Sequence, residues 1–318
     1  MRTGRSFAAL RMKGEARPGL AEGRAADADG DYTAVRHMEF GLVTGQLAAM
    51  RQARGWGFDY VELMGALLLP LEPDRAWPAR RRELEDTGAR ITNLAGFIGG
   101  EARFVGPEVD WYRTRAYVET VVGRGVEVGV RVFNWGSPMA KSVPLGWPYS
   151  HAYEQVERAA HLIADVVARH DALCVIEPIN PGECNIMYYV TDGMAVAAAL
   201  GRPEMRCLAD FFHMSLQSEP LAHIVQARDY LAHTHTAGPR RLLPLPDQAW
   251  DQRRFFRALR QAGYDGRVSV EAWTVRPGST FADDAAASVA YLRRLREEVW
   301  AEPEVNVIEE RDYRWWPP

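Results

Sequence analysis

Four short stretches of this chain each run through apolar or β-prone residues into a side chain able to bind a metal. They are Leu173-Cys-Val-Ile-Glu177, Arg206-Cys-Leu-Ala-Asp210, Leu231-Ala-His-Thr-His235 and Arg267-Val-Ser-Val-Glu271. Helix-length segments separate them. If strands and helices alternate around a barrel, the strand C-termini all emerge on one face, and side chains distant in sequence converge there. Three carboxylates and an imidazole make a mixed oxygen/nitrogen donor set for a hard or borderline divalent cation. Taken singly, each residue is a weak signal, because an isolated acid at a strand end is most often a solvated loop residue. The recurrence at four successive strand ends carries the argument. His233 and His235 share one strand face by the two-residue period, and only one of them need be a ligand; the other reads equally as a hydrogen-bonded core histidine. In Asp210-Phe-Phe-His213 a second imidazole follows the acid by three residues, either brought beside it by a turn or placed there by packing.

The elements that would position these residues are legible as a repeat. Strands are expected at 38–44, 60–64, 91–95 and 130–135, followed by the ligand-bearing strands 173–177, 206–210, 231–235 and 267–271. Helices are expected at 76–87, 111–124, 151–169, 192–200, 220–227, 251–262 and 281–299. Such alternation implies βαβ units and a parallel sheet, and eight units in 318 residues favour a closed (β/α)8 TIM barrel. No Gly-x-Gly-x-x-Gly follows a strand, which weakens a dinucleotide-binding fold. Residues 1–37 are expected to lie outside the barrel as a poorly ordered extension, since Gly23-Arg-Ala-Ala-Asp-Ala-Asp-Gly30 has no hydrophobic period. The barrel is expected to span 38–299. Residues 300–318 form a tail ending Tyr313-Arg-Trp-Trp-Pro-Pro318, whose tryptophans are expected to dock on the barrel or on a neighbouring subunit.

A net charge of −4 argues against a general nucleic-acid partner. No apolar run reaches the length of a membrane span, and the N-terminal segment lacks the apolar core of a secretory signal, so a cytoplasmic protein is expected. The three cysteines show no CxxC spacing. Cys174 and Cys207 sit inside apolar strands and Cys184 follows Glu183 in a loop; all read as passive thiols.

Glu177-Pro-Ile-Asn180, Asp210-Phe-Phe-His-Met214, His233-Thr-His235 and Gly263-Tyr-Asp-Gly266 with Val268-Ser-Val-Glu271 resemble the xylose-isomerase-like barrel superfamily of sugar isomerases and epimerases. Within it they are most similar to the D-tagatose/D-allulose 3-epimerases and hydroxypyruvate isomerases. The resemblance covers most of 38–299. It implies one divalent cation, Mn²⁺ first with Mg²⁺ or Co²⁺ as alternatives, held by Glu177, Asp210, His235 and Glu271. It also implies substrate contacts from Glu183, His213 and Arg241. The expected partner is a small unphosphorylated keto-sugar or polyol, and a homo-oligomer is left open. The physics fits: a divalent cation polarises a ketone, and Glu177 and Glu271, arriving from different strands, serve as base and acid at the neighbouring carbon, through a metal-bound enediolate. Arg241 or His213 would stabilise the charge that develops. Trp111 and Trp135 read either as platforms for a sugar face or as barrel packing.

Four segments depart from the epimerase pattern where it shapes the substrate pocket: Pro181-Gly182, Tyr188-Tyr189, Met214-Ser-Leu-Gln-Ser-Glu219 and Leu242-Leu-Pro-Leu-Pro-Asp247. They keep open a metal-dependent lyase or dehydratase on the same barrel, resembling inosose dehydratases or C-glycoside-cleaving enzymes. A three-zinc endonuclease would need further histidines on the second to fourth strands, and the sequence has none there. A barrel kept only for binding would be expected to have lost ligands, and all four stand.

Overall fold

The computed structural model describes residues 38–303 and residue 307. The expected extension at 1–37 and most of the expected tail lie outside the described residues. Eight strands close into one parallel barrel in sequence order: β1 (Glu39–Thr44), β2 (Tyr60–Met64), β3 (Ile91–Ala95), β4 (Val132–Trp135), β5 (Leu173–Ile176), β6 (Met205–Asp210), β7 (Leu231–Thr236) and β8 (Arg267–Val270). Pairing of β1 with β8, Gly41 opposite Ser269, completes the ring and leaves no sheet edge. The (β/α)8 expectation therefore holds.

Outside the ring lie the helices Leu47–Trp56, Trp77–Glu85, Trp111–Glu127, Tyr149–Ala168, Val190–Leu200, Gln252–Gln261 and Phe281–Ala301. Their starts follow local chemistry. The carboxylate of Asp110 accepts from the backbone N–H groups of Tyr112 and Arg113, Asp251 from that of Arg253, and the Thr280 hydroxyl from that of Asp283. The last helix runs two residues past its expected end. Arg260 reaches across from the helix before it and donates to the carbonyls of Val299 and Glu302, satisfying groups that a helix end leaves open.

Two short helices were not legible in the sequence. Phe211–Leu216 begins directly after β6, because Asp210 turns its carboxylate onto the N–H of Phe212 at 2.8 Å. Pro138–Lys141 follows β4. The expected helix at 220–227 shrinks to Ala222–Gln226. Such single turns are too short to display a hydrophobic period.

Along a strand, residues two apart share a face. That spacing builds the barrel interior in layers. Val132, Val175 and Leu208 form a small apolar plug with Ala232. Two residues further along the same strands stand Asn134, Glu177 and Asp210. On the opposite wall Tyr60, His233 and Ser269 stand two residues before Glu62, His235 and Glu271. Tyr60 can cross the interior to Ser269, 2.8 Å away, only because Gly41 lies beneath it; a Cβ there would fall 2.2 Å from the ring.

Candidate metal and active site

Glu177, Asp210, His235 and Glu271 converge at the C-terminal ends of β5 to β8. Their ligand atoms all lie within 4.8 Å of one another. Glu177 and Glu271 are the first residues past their strands, and Asp210 and His235 are near the ends of theirs. The first three are buried, and the Glu271 side chain keeps 14% exposure, which leaves one open side to the cluster.

Within this cluster His235 presents Nδ1 to Glu177 Oε1 at 3.5 Å and to Glu271 Oε2 at 3.3 Å. Both His235 Nδ1 and Glu177 Oε1 are fully buried and make no hydrogen bond. Orphaned buried polar atoms are costly and uncommon in a folded protein. Two of them facing each other amid carboxylates fit a cation-binding donor set. The other oxygen of Glu177 accepts from Asn134 Nδ2 at 2.8 Å, and its main-chain carbonyl accepts from Lys141 Nζ at 2.8 Å. Gly136 makes room for the carboxylate: a Cβ at that position would lie 2.2 Å from Glu177 Oε2.

Around the four stand the three residues expected to meet substrate. Arg241 donates through Nη1 to Asp210 Oδ2 at 3.0 Å and to Glu271 Oε2 at 2.8 Å, while Nη2 lies 3.1 Å from His213 Nε2. Its guanidinium rests 3.7 Å above the Phe212 ring. Arg240 and Arg241 are both left-handed, each with φ of 57°, an uncommon arrangement for non-glycine residues. Backbone bonds hold it: the Arg241 carbonyl accepts from the N–H groups of Trp273 and Thr274, which joins the loops after β7 and β8. His213 is buried, with Nδ1 at 2.8 Å from the Asn180 side chain. Asn180 also donates to Glu183 Oε1 at 2.9 Å, and Glu183 is 47% exposed, at the opening of the cluster.

The charges are strongly coupled. Burial alone would raise the Glu271 pKa, but Arg241 and His235 beside it outweigh burial and hold it down at about 2. Burial would lower His235, yet Glu62 and Glu271 push it well above the usual imidazole range. Lys141 is lowered by burial.

Several contributors were not singled out in the sequence. Glu62, on β2, accepts from His235 Nε2 at 3.0 Å and from His233 Nε2 at 2.7 Å. Its signal was present, an acid within the otherwise apolar Tyr60-Val-Glu-Leu-Met64. Asn134 on β4 and Lys141 at the end of the helix Pro138–Lys141 had no such signal, and Asn180 entered only as part of the Glu177-Pro-Ile-Asn180 motif, because nothing in a sequence says which polar side chain will turn inward. His233 takes the core-histidine role, bonded to Glu62. Trp135 is fully buried with its ring edge-on to Phe104 at 5.0 Å, so it is barrel packing. Trp111 lies under Arg158, 4.3 Å from the guanidinium. All three cysteines are buried and free.

A closed eight-stranded barrel carrying an acid/imidazole cluster at the ends of strands five to eight defines a class. The chain belongs to the xylose isomerase-like TIM barrel family, whose model matches residues 50–295. Among individual relatives, it is 24% identical over 247 residues to a probable ketose 3-epimerase of Synechocystis sp., covering 77% of this chain and 82% of that protein. The D-psicose 3-epimerase of Clostridium cellulolyticum, solved with D-tagatose, superposes with a TM-score of 0.68 at 17% identity, covering 81% of this chain and 99% of the other. The 3-keto-D-glucoside 4-epimerase of E. coli superposes with a TM-score of 0.66 at 21% identity over the same shares. Among the described residues no helix is long and apolar enough to cross a membrane.

Proposed function

We propose that this protein is a divalent-metal-dependent epimerase or isomerase that moves a proton beside the ketone of an unphosphorylated keto-sugar or keto-polyol. One observation carries the reading. Glu177 Oε1 and His235 Nδ1, buried and unbonded, face each other within a ring closed by Asp210 and Glu271. The ketose and keto-glucoside epimerases among its relatives support the reaction class.

Glu177, Asp210, His235 and Glu271 would hold the cation, with Mn²⁺ as the first candidate, Mg²⁺ and Co²⁺ as alternatives. Bound there, it supplies Lewis-acid polarisation of the ketone. The remaining work falls to side chains. One glutamate takes the proton from the carbon next to the carbonyl, giving an enediolate. The other returns a proton to the opposite face of that carbon, which inverts it. Each turnover leaves the proton on the other carboxylate, and exchange with water resets the pair. Arg241, 2.8 Å from Glu271, and His213, 3.9 Å from Glu177, would steady the negative charge of the enediolate. Glu183, which is exposed, would orient substrate hydroxyls, held by the buried Asn180 that donates to it.

Metal-loaded protein incubated in D₂O with a panel of ketoses and inososes tests the reading. Deuterium is expected at the carbon beside the ketone of recovered and epimerised sugar. Loss of water or of an aglycone, without exchange into recovered substrate, would replace the epimerase by a lyase. Protein that holds no metal, with activity indifferent to chelators, would remove the metal centre altogether.

A further inference from the structure

We propose that Glu62 is the positioning residue of this centre: it fixes which nitrogen of His235 faces the cation. The inference rests on the metal reading above and extends it one layer deeper into the barrel.

Glu62 lies on the interior wall of β2 and is completely buried. Oε1 accepts from His235 Nε2 at 3.0 Å, and Oε2 accepts from His233 Nε2 at 2.7 Å and from the Ser269 hydroxyl at 2.5 Å. Tyr60 lies 2.8 Å behind Ser269. Groups on β2, β7 and β8 therefore clamp one carboxylate. An ionised carboxylate offers only acceptors, so each imidazole must carry its hydrogen on Nε2. With a cation in place of the second ring proton, that leaves His235 Nδ1 as the nitrogen that donates a lone pair. It is also the atom without a hydrogen bond, 3.5 Å from Glu177 and 3.3 Å from Glu271. A carboxylate behind a ligating histidine sets its tautomer and ring orientation and strengthens it as a donor.

Glu62, His233 and His235 also lie close enough to be read as a metal trio of their own. The direct bonds of 2.7 and 3.0 Å join the three to one another and leave no separation for an ion. The trio is a brace under the centre.

The test compares wild type with Glu62→Gln and Ser269→Ala, stripped of metal and titrated with Mn²⁺ and Co²⁺ against a competing chelator. A glutamine has one acceptor oxygen for two imidazole N–H groups, and its NH₂ opposes the other. Glu62→Gln is expected to weaken both cations about ten- to a hundredfold and to alter the visible absorption of the Co²⁺ form. Ser269→Ala removes another partner of the same carboxylate and should change affinity by less than about threefold, even where it lowers the melting temperature as much. Unchanged affinity and spectrum in Glu62→Gln would overturn the proposal. If that variant fails to fold, the ¹⁵N shifts of His235 in wild type loaded with diamagnetic Mg²⁺ decide: hydrogen on Nε2 supports the proposal, and hydrogen on Nδ1 overturns it. A wild type that takes up neither cation would overturn the metal reading itself, and this inference with it.

Discussion

Glu271 combines two demands that pull in opposite directions. Burial disfavours its charge, while Arg241 and His235 hold it ionised, with a pKa of about 2. In Glu271→Gln the amide oxygen can still reach a cation, but an amide is no base at neutral pH. Solvent exchange at the substrate carbon is expected to fall by about 10²- to 10⁴-fold while metal content stays near wild type, read by NMR of recovered sugar and by elemental analysis. Near-normal exchange would shift the base to His213 or Glu183. The same depressed pKa has a stability consequence. A carboxylate whose pKa is lowered by folding contributes stability that is complete above its unfolded value, about 4.5, and lost as pH falls through the folded one, about 2. Acid titration of the metal-free protein should show this loss between those two pH values, and Glu271→Gln should flatten it. Replacing Arg241 by Ala removes the nearest positive charge. The acid limb of exchange against pH should then move up by about 1–3 units, with weaker substrate binding and metal retained.

At the level of elements, the site depends on strands whose interior faces carry polar side chains in layers. Gly41 is where that arrangement is tightest, since the Tyr60 ring occupies the space a Cβ would take. Gly41→Ala forces the ring or the β1–β2 pairing to shift. It should destabilise the protein by about 1–3 kcal/mol, as overpacking does, measured by denaturant unfolding with an unchanged slope. A wild-type midpoint in this variant would mean that the Tyr60–Ser269 crossing is not fixed. The loops add a second kind of constraint. Arg241 is placed by two carbonyl-directed bonds from the loop after β8, so the loops after β7 and β8 act as one unit.

For the whole molecule, we propose that the barrel is self-sufficient from residue 38. The ring is already closed by β1 and β8, and the last helix is tied at its C-terminal end by Arg260. A protein lacking residues 1–37 is expected to keep its melting temperature within a few degrees and its metal content unchanged. A large loss of both would place the start of the folded unit earlier, or put the extension in a subunit interface.

The barrel was legible because its signal is periodic: apolar strands of four to six residues recur between helix-length segments. The cluster residues were legible because each ends such a strand, and a strand C-terminus in this topology has only one face to point to. What the sequence left open was resolved by contacts between residues far apart in the chain. His233 and His235 share one strand face, and only Glu62, 171 and 173 residues away, separates the brace from the side chain that faces the cluster. Trp135 reads as a platform or as packing until Phe104 is placed against it. The turn after Asp210 becomes a helix because that carboxylate caps it. Local pattern determined which side chains gather at the C-terminal ends of the strands. The closed ring decided which of their atoms are bonded and which are left free, because hydrogen-bond partners across a barrel are set by strand register and not by neighbours in sequence.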